Sequence, residues 1–503
     1  MISKYYLFIF LTIMLGASLR FFMLTDKSLW LDEGASLDYS TAANALEVIS
    51  RLIAEDSGDR FQPLYYLILF YWRQLFGDTE FVVRSLCAFL GIGAVILMFF
   101  TVLQISGKKS AFWSTLIMAF SCFSIYYSQQ TRPYALLLFV ATLQLYLFTK
   151  ALNETEDRKN IYPYLLAFTT AFGLLCSILI GIFTLALSLS YILIYKNFKR
   201  WLNWWVPTIF FCVPVFWFYL ISPHVTSPTK VLVTTARQPL VQNILFVIYG
   251  LLVGETYGPP IDDLRGEKKF SVLFNYLPHL LILTIVALTI FVLLVKKLSQ
   301  STGLKRYRNA DLFFVYVLII SFITTLIFAI VTKLNLLPRH SFYIYLPLII
   351  LIPSIIRTDQ KKSLRSAYIA LVALVVLNIY SVSNYYFNHN YQRENYDIVA
   401  QYIIKSRNSP SVKSVLIYGA PNLLPYYGDK YTLNGLNLDT NNLAEQVKAL
   451  TNDAETIIIA ISYQSYWEWK HNISLEKAMS NLYTRKSHAS FTNFNVYRYV
   501  KSN

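Results

Sequence analysis

The chain has 503 residues, of which 55% are hydrophobic, 17% aromatic and 14% charged, with a mean hydropathy of +0.45. That balance excludes an ordinary soluble domain and indicates a polytopic membrane protein. The net charge of +16 would suit nucleic acid if it covered one surface. Instead Lys and Arg gather in short clusters between apolar segments, a distribution that orients helices in a bilayer, so no nucleic-acid partner is expected.

The first apolar run, YYLFIFLTIMLGASLRFFML after Lys4, resembles a signal peptide's apolar region but is long, carries Arg20 and has no clear small-x-small cleavage site. It reads as a retained first helix. Further windows of about 17 to 25 apolar residues follow, the length needed to cross a hydrocarbon core. Placing the basic clusters GKKS, KALNETEDRK, KNFKR, VKKLSQSTGLKRYR and RTDQKKSLR all on the cytoplasmic side yields eleven crossings. They run roughly 5–24, 81–105, 111–128, 134–150, 161–177, 178–195, 203–221, 272–296, 311–332, 341–356 and 366–385. The aromatic segment PLYYLILFYWRQLF, 63–76, is short for a span and is expected to lie along the outer interface.

This path sends the loop 25–80, the segment SQQTRPY, the stretch 222–271, the turn LLPRH and the tail to the outer face. The tail is polar, with VLIYG and TIIIAI as runs of strand length and NNLAEQVKAL as a helical pattern, so a small α/β domain is expected there. The predicted organisation is a transmembrane domain over 1–385, including the first outer loop 25–80, and a soluble extracytoplasmic α/β domain over 386–503. Cys87, Cys122, Cys176 and Cys212 lie within apolar segments without metal-ligand spacing and read as small core residues. No phosphate-binding glycine loop such as G-x-x-x-x-G-K-[ST] occurs, which weakens ATP-driven transport and nucleotide-sugar chemistry.

The outer segments carry the residues capable of chemistry. LWLDEGASLD places Asp32 and Glu33 just after the first helix. A DE pair is most often a solvated loop, but neighbouring carboxylates at a partly desolvated boundary can supply a general base or hold a metal or an acceptor hydroxyl. Arg132, beside Gln129, Gln130 and Tyr134, either snorkels to headgroups or forks onto a phosphate. Arg339 and His340 stand in the same relation to the membrane; His340 lacks a metal-ligand partner in its stretch. GETYGPPIDDL, with Glu255, Asp262 and Asp263, reads locally as turns, and Asp59 precedes the aromatic interfacial segment.

Taken in order, LWLDEG, QPLYYLILFYWRQLFGDTEFVVRSL, YYSQQTRPYALL, GETYGPP and LPRHSFYIYLP resemble the GT-C membrane glycosyltransferases. The set looks most like the bacterial branch of glycosyltransferase family 39, the dolichyl-phosphate-mannose protein mannosyltransferase type, with the lipid A aminoarabinose transferase as a more distant relative. The resemblance covers roughly 1–390. It implies a transferase of the bacterial inner (plasma) membrane, taking sugar from a polyprenyl-phosphate-linked donor to a hydroxyl acceptor at the outer face, with inversion at the anomeric carbon. On this resemblance Asp32 would be the catalytic base or the carboxylate that orients the acceptor, with Glu33 beside it. Arg132, Tyr134 and Arg339 contact donor phosphate, and Asp59 and His340 are candidates for acceptor or metal. A divalent metal ion is a candidate cofactor, and Arg84 takes a structural role. Asp32, Arg132 and Arg339 would then line one extracytoplasmic cavity open to lipid.

The sequence also departs from the family. Phe61, Gln62 and Pro63 stand where relatives have His-Pro-Pro, Gln130 replaces a frequent glutamate, and CSILIG shows no counterpart of a His-Tyr pair. These losses bear on metal dependence and acceptor type more than on the fold. The alternative class is a transporter or flippase of lipid-linked sugars, which would place ionisable groups near mid-membrane and show repeated halves. Here the candidate charges gather at one face.

Overall fold

The computed structural model describes residues 4–54, 58–153, 161–221, 240–260, 269–299, 305–332, 336–358, 360–391, 396–405, 412–417, 434–436, 449, 454–462, 483–491 and 494–502. In chain order the first helices are α1 (Lys4–Phe21), α2 (Leu31–Ser40), α3 (Ala45–Ala54), α4 (Pro63–Phe76), α5 (Glu80–Phe120), α6 (Cys122–Ser128), α7 (Tyr134–Asn153), α8 (Tyr162–Cys176) and α9 (Ile180–Tyr195). They are followed by α10 (Phe198–Ile221), α11 (Leu240–Val253), α12 (Lys269–Asn275), α13 (Leu277–Ser299), α14 (Lys305–Thr332), α15 (Phe342–Ser354), α16 (Lys361–Phe387) and α17 (Tyr396–Lys405). The strands are β1 (Val412–Ile417), β2 (Asn434–Leu436), β3 (Thr456–Ser462), β4 (Tyr483–Phe491) and β5 (Phe494–Lys501). The chain divides into two compact units: Met1–Leu24 with Ala42–Phe387, and Thr25–Thr41 with Asn388–Asn503.

Seven described helices in the first unit, α1, α5, α7, α10, α13, α14 and α16, are long and apolar enough to cross a membrane. The 41-residue α5 is two arms, because Gly107 leaves helical geometry at φ 78°, a conformation glycine adopts without steric cost. The arms match the two crossings expected at 81–105 and 111–128, the second continued by α6 after a break at Ser121. Three more expected crossings are the helices α8, α9 and α15, of 15, 16 and 13 residues, shorter than the ~20 residues of an untilted span. Every one of the eleven expected crossings is therefore helical, and the protein is a multi-pass membrane protein. The segment 63–76, expected along the outer interface, is the helix α4, opened by Pro63 in its first turn, where a missing N–H costs nothing.

One stretch differs from expectation. Residues 222–271 were read as an outer loop, yet LVQNILFVIYGLLV forms α11 and 269–275 forms α12. At 14 residues, α11 rises only ~21 Å, so its apolar run falls below the length by which a crossing is recognised.

The buried core of this unit joins α5, α6, α7, α9, α15 and α16 through large side chains such as Phe123, Tyr127, Phe183, Phe342 and Tyr343. The break between α5 and α6 is held by polar groups. Arg20, fully buried on α1, donates to the Met118 and Ala119 carbonyls at 3.2 and 3.1 Å and to Ser124 Oγ at 2.8 Å. Asn378 Oδ1 accepts the Cys122 N–H at 3.1 Å. These bonds replace the helical partners that a chain break removes, and without them the orphaned groups would be costly in an apolar interior.

In the second unit, α17 buries Tyr396, Val399, Ala400 and Ile403, one face of an amphipathic helix. The five strands form one sheet of order β2-β1-β3-β5-β4. β1 runs parallel to both β2 and β3, whereas β5 is antiparallel to β3 and β4. Ile457, Ile458, Ile459 and Ala460 of β3 are all buried, so this strand is covered on both faces, as a near-continuous apolar run predicts. The strands expected from VLIYG and TIIIAI correspond to β1 and β3. Of the helix expected from NNLAEQVKAL only Ala449, which is helical, is among the described residues; Asp262 and Asp263 lie outside them.

Candidate active site

The segment after α6 bends sharply. Gln129 Nε2 donates to the carbonyls of Leu19, Arg20 and Phe22 at 3.3, 3.1 and 2.8 Å, tying it to the end of α1. The backbone then turns through Arg132 N–H to Gln130 O at 2.8 Å, and α7 starts at Tyr134. This geometry buries Arg132.

Arg132 meets Asp59, which sits in the 3-10 turn Gly58–Phe61 just before α4. The pair is a two-pronged fork, Nη2 to Oδ1 at 2.8 Å and Nη1 to Oδ2 at 3.1 Å, and Tyr66 hydroxyl accepts from Nη1 at 3.3 Å. Such a fork is the strong form of the ion pair. The sequence treated Arg132 as a phosphate ligand and Asp59 as an acceptor or metal ligand; the fold makes them each other's partner. Tyr134, also expected at the donor phosphate, lies 5.9 Å from the Arg132 guanidinium by its ring centroid and packs edge-on against Tyr127 at 5.2 Å.

Tyr127 leads to the second arginine. Its hydroxyl donates to Glu255 Oε1 at 2.7 Å, and Glu255 and Pro338, the residue before Arg339, both lie against Gly250. Glu255 belongs to GETYGPP, read from the sequence as turns, but Gly254 and Thr256 to Pro260 are buried. The loop is anchored. Gly254 adopts φ +83° with its α-carbon against Cys122, where a Cβ would come within 2.6 Å of the cysteine Cβ. Thr256 donates to the Ser381 carbonyl at 2.7 Å, and Asn384 donates to the Thr256 carbonyl at 2.9 Å. Tyr257 donates to the His279 carbonyl at 3.1 Å, and burial holds its hydroxyl above the ordinary tyrosine range, with Tyr380 adding to the rise.

Arg339 occupies the 3-10 turn Pro338–His340 that precedes α15. In that turn His340 Nδ1 accepts the Leu337 N–H at 3.3 Å, so one ring nitrogen serves the turn. Both Asp59 oxygens face Arg132. Among the described residues no group of three or more His, Cys, Asp and Glu could hold a metal ion. Arg84 donates to the Leu24 carbonyl at 2.9 Å from a buried position, a tie between α5 and the end of the first crossing that agrees with its expected structural role.

The acidic pair belongs to the second unit. Asp32 and Glu33 lie in the first turn of α2, where carboxylates favour the helix dipole. Glu33 is fully buried and accepts the Trp30 N–H at 3.4 Å, closing the turn from its third position. Asp32 is half-buried.

Sequence reasoning did not single out Tyr127, and it read Glu255 as part of a turn. Both are visible only once α6 and the 254–260 loop are side by side, although the density of glycine and proline around a lone glutamate marks a built loop.

Residues 62–226 match the family model described as dolichyl-phosphate-mannose-protein mannosyltransferase. That span contains two of the five motifs, the aromatic α4 segment and QQTRPY. No curated protein sequence matches the chain. Among solved structures, ArnT from Cupriavidus metallidurans in the apo state is similar over 99% of this chain and 98% of that one, at 12% identity and a TM-score of 0.57. The same protein bound to undecaprenyl phosphate is similar over 97% of both chains, at 13% identity and a TM-score of 0.50. The oligosaccharyltransferase AglB from Archaeoglobus fulgidus, in complex with an inhibitory peptide and a dolichol-phosphate, is similar over 99% of this chain and 74% of that one, at 12% identity and a TM-score of 0.50. At such identities the likeness is one of fold, and the fold of this chain is that of the GT-C membrane glycosyltransferases, as its motifs led us to expect.

Proposed function

We propose that the protein transfers a sugar from a polyprenyl-phosphate-linked donor to a hydroxyl acceptor, a glycan, lipid or protein, at the outer face of the cytoplasmic membrane, with inversion at the anomeric carbon. The observation that carries this reading is the similarity of nearly the whole chain to a fold whose solved examples hold undecaprenyl phosphate or dolichol-phosphate. The family model over 62–226 supports the same donor class.

A polyprenyl phosphate is already a competent leaving group, so the enzyme needs no nucleotide. The acceptor oxygen forms a bond to the anomeric carbon, its proton passes to Asp32, and the bond from that carbon to the phosphate oxygen breaks with its electron pair going to the phosphate. Arg339 stabilises the charge that grows there, a contribution made in the transition state and therefore expressed in kcat. Tyr127 and Glu255 fix the polar surroundings of Arg339. Arg132, neutralised by Asp59, shapes the site and contributes less to phosphate binding than its position in the motif suggests. Glu33 holds the turn that presents Asp32.

The test is Asp32→Asn in membranes supplied with radiolabelled polyprenyl-phosphate sugars. Loss of a general base lowers turnover by about 10²–10⁴-fold, and transfer at the wild-type rate would remove Asp32 from the mechanism. A flippase would instead move labelled donor across the bilayer without forming any new glycosidic bond.

A further inference from the structure

A second group of charges lies at the far end of α15. Arg339 precedes this 13-residue helix and Arg357 follows it, so the two arginines are separated by a helix length of ~20 Å. Near Arg357 the last turn of α13 and the first residues of α14 and α16 converge. Lys297 Nζ lies 2.6 Å from Asp311 Oδ2, and Arg357 Nη2 pairs with Oδ1 of the same carboxylate. Asp311 is 3% exposed, so one buried carboxylate faces two cations. Lys296 Nζ donates to Ser363 Oγ at 3.4 Å, joining the end of α13 to the start of α16. Lys296, Lys361, Lys362 and Arg365 are exposed around this junction.

The balance is strongly positive among the described residues: Lys297 and Arg357 pair with Asp311, and Lys296, Lys361, Lys362 and Arg365 stand exposed on the adjoining ends of α13 and α16. The N-terminus of α16 adds its dipole to the same side. What approaches this place is set by α13, which presents exposed Leu288, Phe291, Val292 and Val295 directly before the lysines. An apolar helix face ending in a basic cluster matches the shape of one molecule, acyl chains along the helix and a phosphate at its end. Free phosphate would use the charge but leave the apolar face without purpose.

We propose that this junction binds the headgroup of an anionic phospholipid, whose phosphate lies among Lys296, Lys361, Lys362 and Arg365 while its chains lie along α13. The site is separate from the sugar-transfer machinery and requires none of it. Its role is to clamp three helix ends that the surplus positive charge would otherwise drive apart.

The experiment uses the full chain in nanodiscs of phosphatidylcholine alone or with increasing phosphatidylglycerol, read by retained lipid in native mass spectrometry and by unfolding temperature. Wild-type protein is expected to retain phosphatidylglycerol over phosphatidylcholine and to unfold at higher temperature as its fraction rises. The triple variant K361Q/K362Q/R365Q leaves the buried triad intact. It should retain the anionic lipid at least about tenfold more weakly, since each basic side chain at an anionic surface is worth about a fivefold gain. Half-molar salt should weaken retention by the wild type far more than by the variant. Equal retention by both proteins overturns the site. An equal rise in unfolding temperature from millimolar inorganic phosphate in phosphatidylcholine nanodiscs overturns the lipid assignment.

Discussion

The two ends of α15 handle buried charge in opposite ways. On the side of Arg339, the neighbouring Arg132 is matched one to one by Asp59 in a fork, with side-chain exposures of 9% and 13%. On the side of Arg357, a single carboxylate, Asp311, is shared by two cations. The matched pair satisfies itself and works as a brace between the turn before α4 and the start of α7. The second cluster, with further exposed lysines and an arginine beside it, offers its charge to an anion from outside. Arginine in a motif at a helix end therefore does not announce a substrate contact: its role depends on whether a carboxylate from elsewhere in the chain arrives first.

The largest expected effect is on stability. Asp59→Ala leaves Arg132 buried without its carboxylate, and removing one partner of a buried pair costs about 3–5 kcal/mol; thermal unfolding in detergent should show a marked drop. The double change Asp59→Leu with Arg132→Met should recover most of that loss, because two apolar groups bury no charge. If Asp59→Ala unfolds like wild type, the brace is not a brace and the contrast between the two ends fails.

Arg339→Gln should behave in the reverse manner, with transfer reduced about 10²–10³-fold, the scale for losing one group that stabilises developing negative charge, and little change in unfolding temperature. A variant that keeps its turnover but loses stability would make Arg339 another structural arginine. Glu255→Gln tests the group between them. It preserves a hydrogen bond from Tyr127 but not the charge, and kcat should fall about tenfold, or ~1.4 kcal/mol in the barrier, with donor KM nearly unchanged. The smallest effect is expected for Glu33→Gln, where a long capping bond of 3.4 Å becomes neutral; the stability loss should stay below about 1 kcal/mol and transfer should persist. Abolished transfer there would move the catalytic role from Asp32 to Glu33.

Much of the membrane unit was legible residue by residue. Apolar runs of helical length such as 134–150 and 366–385 became α7 and α16 because lipid leaves a backbone no other way to satisfy its polar groups. The shorter helices were legible in position but not in length. α11 went unnoticed because LVQNILFVIYGLLV ends at Gly254, whose positive φ closes the helix before it reaches spanning length. The β4–β5 hairpin also escaped notice, since YTRKSHASF is almost wholly polar and shows its strand character only when it pairs with FNVYRYVK. At the site, Arg132, Arg339 and Asp59 were all singled out, but as three independent ligands. The pairing of Arg132 with Asp59 and of Tyr127 with Glu255 depended on contacts between residues 73 and 128 positions apart.

The amino-acid sequence by itself determined that the chain folds into apolar helices and a small sheet, and which charged residues stand at the helix ends. Hydrophobic periodicity and the absence of water around a spanning backbone are local properties, read from a window of residues. Tertiary structure alone decided which charges neutralise one another, because a charge's partner is set by distance in space, and in a low-dielectric interior a single approaching carboxylate outweighs everything the local sequence says about a guanidinium.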